Sequence, residues 1–416
     1  MYKLLPATVL ALLSTPLAAA PTQDWSAMIG KDGLARTEAA LAALPDPSAD
    51  DLFALGMTRF LGGVEQGLQA RWRMGQSEEG FLPVFRLPVT PNPHPAPFDP
   101  ALIGTVFKTL DTRMDDTREA LLRIPAGGNV ALPLHPDDLW FDINGSGTRD
   151  EGEAIVTVGA SFLAQPRWNP DTGEFATPET PKFANIRFDT ADVAWLTAYT
   201  HLLSGTADMV RAFQPTPVIE RVMKGRMAML EKGIAGPLDG VMPETVSYPN
   251  EIDLIAISLL SLRQQPLPEH TRAARDHFLA MVAENRRFWT EVAAEADNDG
   301  EWIPNKHQTS ALGPAFPEGT DLTWLAVLDD AEKLLKGELL APYFDFMTGS
   351  SANDANIGFD LAAWLQDPAP VDLVEWLHGM GITPWLKSGP VVTSANMNAF
   401  EELVSGNGVL FAIWFN

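Results

Sequence analysis

Apolar residues recur every three to five positions through most of the chain, the spacing that places them on one face of an α-helix. The clearest example is residues 49–72, where Ser48 stands just before the range as a candidate N-cap and acids occupy the first turn. Its apolar positions are Leu52, Leu55, Phe60, Val64 and Leu68. The same pattern predicts helices over 99–124, 190–213, 216–233, 251–263, 268–296, 320–337 and 371–380.

Alternating patterns of the kind that predict β-strands are scarce, and residues 81–89 and 409–415 are the best short candidates. The predicted fold class is therefore mainly α: a multi-helix globular protein with long Pro-rich loops and few short strands. The helices over 190–213 and 216–233 are expected to form a hairpin, the second starting with Thr216 as its cap.

Two Pro-rich intervals, residues 85–100 and 165–183, interrupt the helices. Segments of this kind either link domains or lie packed across a surface. The first alternative predicts two lobes after a leader at 1–20, an N-terminal helical lobe at 21–180 and a C-terminal helical lobe at 181–416. The second allows residues 21–416 to form one continuous domain.

Composition and charge narrow the choice of partner. The chain has 416 residues, of which 46% are hydrophobic, enough to bury a sizeable core. Its net charge of -25 repels nucleic-acid phosphates, so no nucleic-acid partner is expected. The chain contains no cysteine, which excludes disulfides, thiolate metal sites and cysteine nucleophiles within it.

The first twenty residues resemble a secretory signal peptide, because Lys3 precedes an apolar run and small residues follow near Ala20. We therefore expect a periplasmic or secreted protein, cleaved after Ala19 or Ala20. No later apolar run has the roughly 20 residues that a spanning helix needs, so no transmembrane segment is expected after signal removal.

The most specific pattern is the acidic stretch DINGSGTRDEGE at residues 142–153. Calcium prefers oxygen ligands, and a twelve-residue loop supplies them from positions 1, 3, 5, 7, 9 and 12. The loop resembles the calcium-binding loop of the EF-hand family, with Gly147 at the sharp turn. The resemblance implies a calcium site whose ligands are Asp142, Asn144, Ser146, Thr148, Asp150 and Glu153, with Thr148 contributing its backbone carbonyl.

This resemblance covers the loop alone, and the sequence around it departs from the family. Arg149 stands where the family has an aliphatic residue that pairs with a second loop, and Pro133 and Pro136 leave little room for an entering helix. A single structural calcium loop therefore fits better than a paired sensor. The alternative is a solvated acidic turn, since Asp, Asn, Gly and Ser are also the usual turn formers.

Residues 297–307 form a second acidic stretch, with Asp297, Asp299 and Glu301 beside Trp302. One interpretation is a helix end followed by an ordinary turn. The other is that these residues are the acids of a hydrolase, because glycoside hydrolysis needs two carboxylates placed by the fold. His270 and His277 lie seven apart on one predicted helix, and His201 is expected to be a hydrogen-bonded core residue rather than a catalytic base.

Motifs for a nucleophilic serine, a phosphate loop and dinucleotide binding are missing from the sequence, so whether the protein is an enzyme stays open. The main functional hypothesis is an exported calcium-binding protein that acts by binding an unknown protein, small-molecule or glycan ligand. The alternative hypothesis is a secreted or periplasmic hydrolase directed at glycans, with loop carboxylates as its acids.

Overall fold

The computed structural model describes residues 23–77, 80, 82–125, 128–159, 167–169, 174–176, 184–233, 251–311, 317–345, 350–351 and 356–404. The mainly α-helical class is confirmed. The helices are α1 (Trp25–Ala42), α2 (Ala49–Arg73), α3 (Leu102–Leu122), α4 (Ile155–Val158), α5 (Thr190–Ala212), α6 (Pro215–Glu231), α7 (Glu251–Leu262), α8 (Pro268–Val292), α9 (Thr320–Lys336), α10 (Leu361–Gln366), α11 (Leu373–His378) and α12 (Ala395–Leu403).

The strands are short and lie in small antiparallel sheets. Their bounds are β1 (Ala131–Leu134), β2 (Arg167–Asn169), β3 (Glu174–Ala176), β4 (Ile186–Asp189), β5 (Ala341–Pro342), β6 (Phe344–Asp345), β7 (Ser350–Ser351), β8 (Ile357–Phe359) and β9 (Leu386–Ser388). The pair β1–β4 matters most for the site, because it sets Leu132 opposite Phe188 and turns both side chains into the core.

Helix α2 begins where the sequence predicts. Ser48 and Asp51 form a capping box in which each side chain accepts a hydrogen bond from the backbone of the other. One face of the helix is buried against α1 and α3. Helix α5 begins with a second capping box, between Asp189 and Asp192, and packs mainly against α8 and α3.

Several local predictions are wrong. Residues 82–87 form turns rather than a strand, since Pro83 and Pro88 cannot donate to a strand ladder. Helix α6 begins at Pro215 after Gln214, not at a Thr216 cap, and it packs against α7 instead of forming a hairpin with α5. The strand candidate at 409–415 and the signal peptide lie outside the described residues.

The first Pro-rich interval is packed against the protein surface. Ala96 donates its backbone N–H to the Arg73 carbonyl at 2.8 Å, and the Asn92 amide donates to the Trp72 carbonyl at 2.9 Å, which ties the segment to the end of α2. The largest hydrophobic core includes residues on both sides of residue 180, from Trp25 to Ala207. The division into lobes stays a prediction.

In the part of the chain described, no helix combines the length and hydropathy that crossing a membrane requires.

Candidate functional site

The acidic loop 142–153 is closed at its base by a short antiparallel stem. Trp140 and Ala154 form an isolated bridge, and the Phe141 N–H donates to the Glu153 carbonyl at 2.9 Å. The Ile155 N–H donates to the Leu139 carbonyl, also at 2.9 Å. A single 3₁₀ turn, Pro136–Asp138, precedes the stem, and the one-turn helix α4 follows it, so the loop is not flanked by two long helices.

Inside the loop, Asn144, Ser146, Thr148 and Asp150 are hydrogen bonded to one another, and Asp142 is hydrogen bonded to the loop backbone. Asp142 Oδ2 accepts from the Gly147 N–H at 2.9 Å, at the sharp turn where Gly147 adopts a φ of 75° that favours glycine. The Asn144 amide donates to Asp150 Oδ2 at 2.7 Å, and Ser146 Oγ donates to the Thr148 carbonyl at 2.9 Å.

Glu153, the last predicted ligand, is turned into the loop and is only 1% exposed. Its Oε1 accepts from the Ile143 N–H and its Oε2 from the Asp150 N–H, both at 2.8 Å. Burial raises the pKa of the Glu153 carboxyl, an effect that these backbone hydrogen bonds oppose. The carboxylate therefore holds the two ends of the loop together.

Helix α2 anchors the loop through two residues that the sequence motif does not include. Glu65 Oε2 accepts from the Asp142 N–H, and Gln69 Nε2 donates to the Asp142 carbonyl, both at 2.8 Å. Burial, together with the charges of Asp142 and Glu153, raises the pKa of Glu65 to about 7. Glu65 and Gln69 lie far from the loop in sequence, so a motif confined to the loop does not include them.

The donor set fits a hard divalent cation. All six predicted residues offer oxygen atoms on one loop, which is the ligand chemistry that calcium prefers. Asp142 Oδ1 is buried and accepts no hydrogen bond among the described residues. The Arg149 guanidinium donates to the Asp137 carbonyl at 2.6 Å, so it is held by a group outside the predicted ligand set. The calcium site itself stays a prediction.

An apolar cavity of about 350 Å³ lies directly behind the stem of the loop. Its walls come from α2, residues 83–87, the β1–β4 pair, α4, α5 and the stem itself. Residues that line it include Phe60, Val64, Leu139, Phe141, Ile155, Phe188, Trp195, Tyr199 and Trp302, and Arg86 is its one charged lining residue in the described chain. The volume lies toward the lower end of the roughly 300 to 1,000 Å³ typical of small-molecule sites.

No family model, curated protein or solved structure matches this chain.

The second acidic stretch contributes to a cluster that also includes the start of α5. Asp189, Glu295 and Glu301 bring carboxyl oxygens within 4.8 Å of one another, a spacing that could hold a metal ion. Burial raises the pKa of all three carboxyls, that of Glu295 to about 8. Asp189 and Glu295 are hydrogen bonded to each other, as expected for two carboxyls that share a proton. Buried Asp192, beside them, also has a strongly raised pKa.

The other residues of that stretch have structural partners. Asp297 forms an ion pair with Arg187 at 2.9 Å, and the Asp299 N–H donates to Glu301 Oε1 at 2.9 Å. The Trp302 ring packs against Phe188 and Trp195, with centroids 5.7 and 5.3 Å away. Trp302 is thus part of the cavity wall, whereas Asp297, Asp299 and Glu301 are not among the residues that line this cavity.

The histidines form a polar cluster between α5 and α8. His201 Nδ1 lies 2.8 Å from His277 Nδ1, and His270 Nδ1 lies 2.7 Å from Asp208 Oδ1. Burial lowers the pKa of His201 to about 3, and it also lowers the pKa of His277. His201 is partly buried and hydrogen bonded to another side chain, as its position on the helix led us to expect.

Proposed function

We propose that the protein is an exported calcium-binding protein that holds an apolar small molecule in the cavity behind the loop. Asp142, Asn144, Ser146, Thr148, Asp150 and Glu153 would hold the ion. Calcium would supply a positive charge that draws these oxygens together and fixes the loop. The chain's own residues would bind the molecule and exclude water from it.

The observation that carries this proposal is that residues lining the cavity are direct backbone neighbours of residues that form or hold the loop. Phe141, which lines the cavity, is followed directly by Asp142, the first predicted ligand. On α2, the cavity-lining Val64 is followed by Glu65, which accepts from the Asp142 N–H. Fixing the loop therefore fixes one wall of the cavity, since neighbouring residues on a hydrogen-bonded backbone cannot move independently.

The expected strength of the calcium site is moderate to weak. Three of the six ligand residues carry carboxylates, and calcium affinity rises with the number of charged ligands. Extracellular calcium modules work at dissociation constants of about 10⁻⁴ to 10⁻³ M, which such a loop can reach. An ion about tenfold above its dissociation constant would add roughly 1.4 kcal/mol to the free energy of unfolding.

The calcium part of the proposal is tested by titrating chelated protein with calcium while recording heat and melting temperature. We expect a saturable rise in melting temperature that Asp150→Asn weakens and Glu153→Gln abolishes. Glu151→Gln is the matched control, because Glu151 is an exposed acid of the same loop outside the predicted ligand set. If neither calcium nor chelator changed the melting temperature, the calcium site would be ruled out.

The Asp150→Asn variant distinguishes a loss of calcium binding from a loss of folding. Glu153 is buried and accepts backbone hydrogen bonds, so its substitution also disturbs the loop in the absence of an ion. Asp150 is exposed, and its replacement removes one charge with little effect on packing. If Asp150→Asn and Glu151→Gln shifted the calcium titration equally, the binding would be a general effect of negative charge.

The cavity part is tested with an environment-sensitive apolar fluorophore, added to protein from which bound lipids have been extracted. We expect enhanced fluorescence with calcium, a weaker signal with chelator, and loss of the signal when Phe60→Glu places a charge in the wall. Equal signals from the wild type and the variant, at equal folded fraction by circular dichroism, would exclude the cavity as the binding site.

The hydrolase hypothesis remains the second candidate, and one observation favours it. The raised pKa of Glu295, about 8, is the property expected of a general acid at neutral pH. Glycan hydrolysis that Glu295→Gln eliminates without loss of the fold would support it. Binding of the fluorophore by that same variant would show that the cavity functions independently of the acids.

A further inference from the structure

Six aromatic side chains that line the cavity form one continuous row of ring contacts. The row starts and ends on α2, whose two members lie seven positions apart, a spacing that places both on one face of the helix. Between them it passes through β4, the segment after α8, and α5. In order of contact, this aromatic belt consists of Phe53, Phe188, Trp302, Trp195, Tyr199 and Phe60.

The rings of the aromatic belt are tilted against one another rather than stacked. Centroids of successive rings lie 5.3 to 5.7 Å apart, and the angles between successive ring planes run from 42° to 85°. A molecule in the cavity therefore meets the faces of some rings and the edges of others.

Separate elements of the fold hold the aromatic belt in place. Trp195 and Tyr199 lie four positions apart on α5, so they are neighbours on one face of that helix. Phe188 belongs to β4, and the pairing of this strand with β1 turns its ring into the core. Trp302 directly follows Glu301, which forms an isolated backbone bridge with Ser310. The rings are thus positioned before any ligand binds.

Aromatic side chains fill space in ordinary cores, and cores leave few voids larger than a water molecule. Here the rings border a cavity of about 350 Å³ that the protein leaves open. An unfilled apolar cavity costs stability, because its lining atoms lack contacts on one side. A molecule that contacts these rings would restore such contacts.

Tilted rings favour an occupant that has a π-system of its own. The face of an aromatic ring is electron-rich and its edge electron-poor, so edge-to-face and offset contacts between rings contribute beyond the apolar area that they bury. A saturated molecule of similar shape gains the contribution of area alone. A rigid, flat molecule also loses less conformational freedom on binding than a flexible chain does.

We infer that the cavity binds a flat, uncharged molecule with a fused aromatic ring system, packed against the aromatic belt. This inference rests on the proposed function, because it names the class of molecule that the cavity takes. The other apolar side chains of the wall provide affinity for any apolar molecule, and the aromatic belt provides the preference for an unsaturated one.

The first experiment compares naphthalene with decahydronaphthalene, which share a carbon skeleton and differ in unsaturation. Both are tested by displacement of the fluorophore from calcium-loaded protein. Each affinity is divided by the compound's own partition ratio from water into cyclohexane, which removes the difference in hydrophobicity. The normalised affinity of naphthalene is expected to exceed that of decahydronaphthalene by about threefold to tenfold, the advantage that aromatic contacts give beyond buried area.

Methyl NMR spectra locate the bound naphthalene. Val64 and Leu203 line the cavity, and the ring current of a bound aromatic molecule should shift their methyl signals. Leu335 is the control, because it is buried in a separate apolar cluster and its signals should not move. Shifts at Leu335 without shifts at Val64 and Leu203 would place the molecule outside the cavity and overturn the inference.

The second experiment changes the rings one at a time. Tyr199→Leu removes a ring and should reduce the normalised preference for naphthalene by about threefold, whereas Tyr199→Phe keeps the ring and should retain the preference. Phe60→Leu, at one end of the aromatic belt, should act like Tyr199→Leu. Phe213→Leu is the control, because it removes a partly buried ring that does not line the cavity and should change neither affinity.

The outcomes separate the inference from the function on which it rests. Equal normalised affinities in the wild type would overturn the inference and leave an apolar binding protein. If Tyr199→Leu and Phe60→Leu, folded by circular dichroism, weakened both compounds equally, the rings would have a structural role and the inference would fail. Should one of these variants not fold, the other decides. If neither compound displaced the fluorophore, both the inference and the cavity as a ligand site would be refuted.

Discussion

Glu65 on α2 accepts a hydrogen bond at 2.8 Å from the backbone N–H of Asp142, the first residue of the acidic loop. The Glu65 carboxyl is 6% exposed, so the loop is held from behind by a buried group that the loop sequence does not contain. The contact places the loop and the cavity-lining helix in one rigid unit. Its removal should therefore affect ion binding, stability and cavity together.

Glu65→Ala is expected to weaken calcium binding and to lower the free energy of unfolding by about 1 to 3 kcal/mol, because it leaves the Asp142 N–H without its acceptor. Glu65→Gln keeps an acceptor oxygen and should cost less. Calorimetric calcium titration and urea unfolding measure the two effects. Identical behaviour of the alanine and glutamine variants would show that the hydrogen bond does not position the loop.

The carboxyl cluster around Glu295 should make stability depend on pH. The pKa of Glu295 is about 8 in the folded protein, against 4.5 for an ordinary glutamate, so the folded state binds more protons between these values. The free energy of unfolding therefore falls as pH rises through this interval, and the loss is complete above about pH 8. Asp189 and Glu301, whose pKa values are also raised, act in the same direction.

Glu295→Gln should flatten this decline, with a gain relative to the wild type at pH 8 that exceeds the gain at pH 5 by at least about 1 kcal/mol. Urea unfolding at half-unit pH intervals provides the measurement. The matched control is Glu231→Gln at the exposed end of α6, which should run parallel to the wild type. Parallel curves for Glu295→Gln as well would contradict the raised pKa.

The histidine pair His201 and His277 between α5 and α8 should make the free energy of unfolding fall as pH decreases, which is the opposite of the effect of the Glu295 cluster. His201 has a pKa of about 3 in the folded protein, against 6.5 for an ordinary histidine, so the unfolded state binds more protons between these values. Stability is then lost as pH falls through that interval, by about 1 to 2 kcal/mol between pH 7 and pH 5. The lowered pKa of His277 adds to the loss.

His201→Gln should remove part of this acid sensitivity, since glutamine can hydrogen bond to His277 without titrating. The change in unfolding free energy between pH 7 and pH 5 should be smaller than in the wild type, whereas exposed His94→Gln should leave it unchanged. An NMR titration in which the His201 ring protonates near pH 6.5 would disprove the effect directly.

Local patterns in the sequence predicted most of the helices, because amphipathic spacing and N-caps act over a few residues. The start of α2 at a Ser48 cap is one example. The six candidate ligands of the loop also lie within one twelve-residue motif, and the calcium site there stays a prediction. Helix α1 and the short helices α4, α10 and α12 were not among the predicted ranges.

The tertiary contacts of the site could not be predicted from such local patterns. Glu65 and Gln69 lie 77 and 73 positions before Asp142, and no local pattern links them to it. Arg86 fell inside a range that we predicted as a strand, and only the buried Arg71, which binds the carbonyls of Val84 and Leu87, shows that the segment is a turn. Such contacts depend on how α2 meets distant segments, which periodicity does not encode.

The close contact of Gly67 with Val84 provides a test of how this part of the cavity wall is held against α2. A Cβ at Gly67 would lie 2.5 Å from Val84 Cγ1, so Gly67→Ala must push residues 82–87 away from α2. We expect a loss of about 1 to 3 kcal/mol in unfolding free energy from overpacking, and weaker binding of the apolar fluorophore because residues of this segment line the cavity. Urea unfolding and fluorophore titration measure the two.

Gly225→Ala is the matched control for that substitution. Gly225 lies in the interior of α6, and a Cβ there would meet nothing within 4 Å. Alanine should stabilise the helix by up to about 1 kcal/mol and leave ligand binding unchanged, because it only reduces the freedom of the unfolded chain. If Gly67→Ala were as harmless as Gly225→Ala, the segment would not be held against α2, and its place in the cavity wall would lose its physical basis.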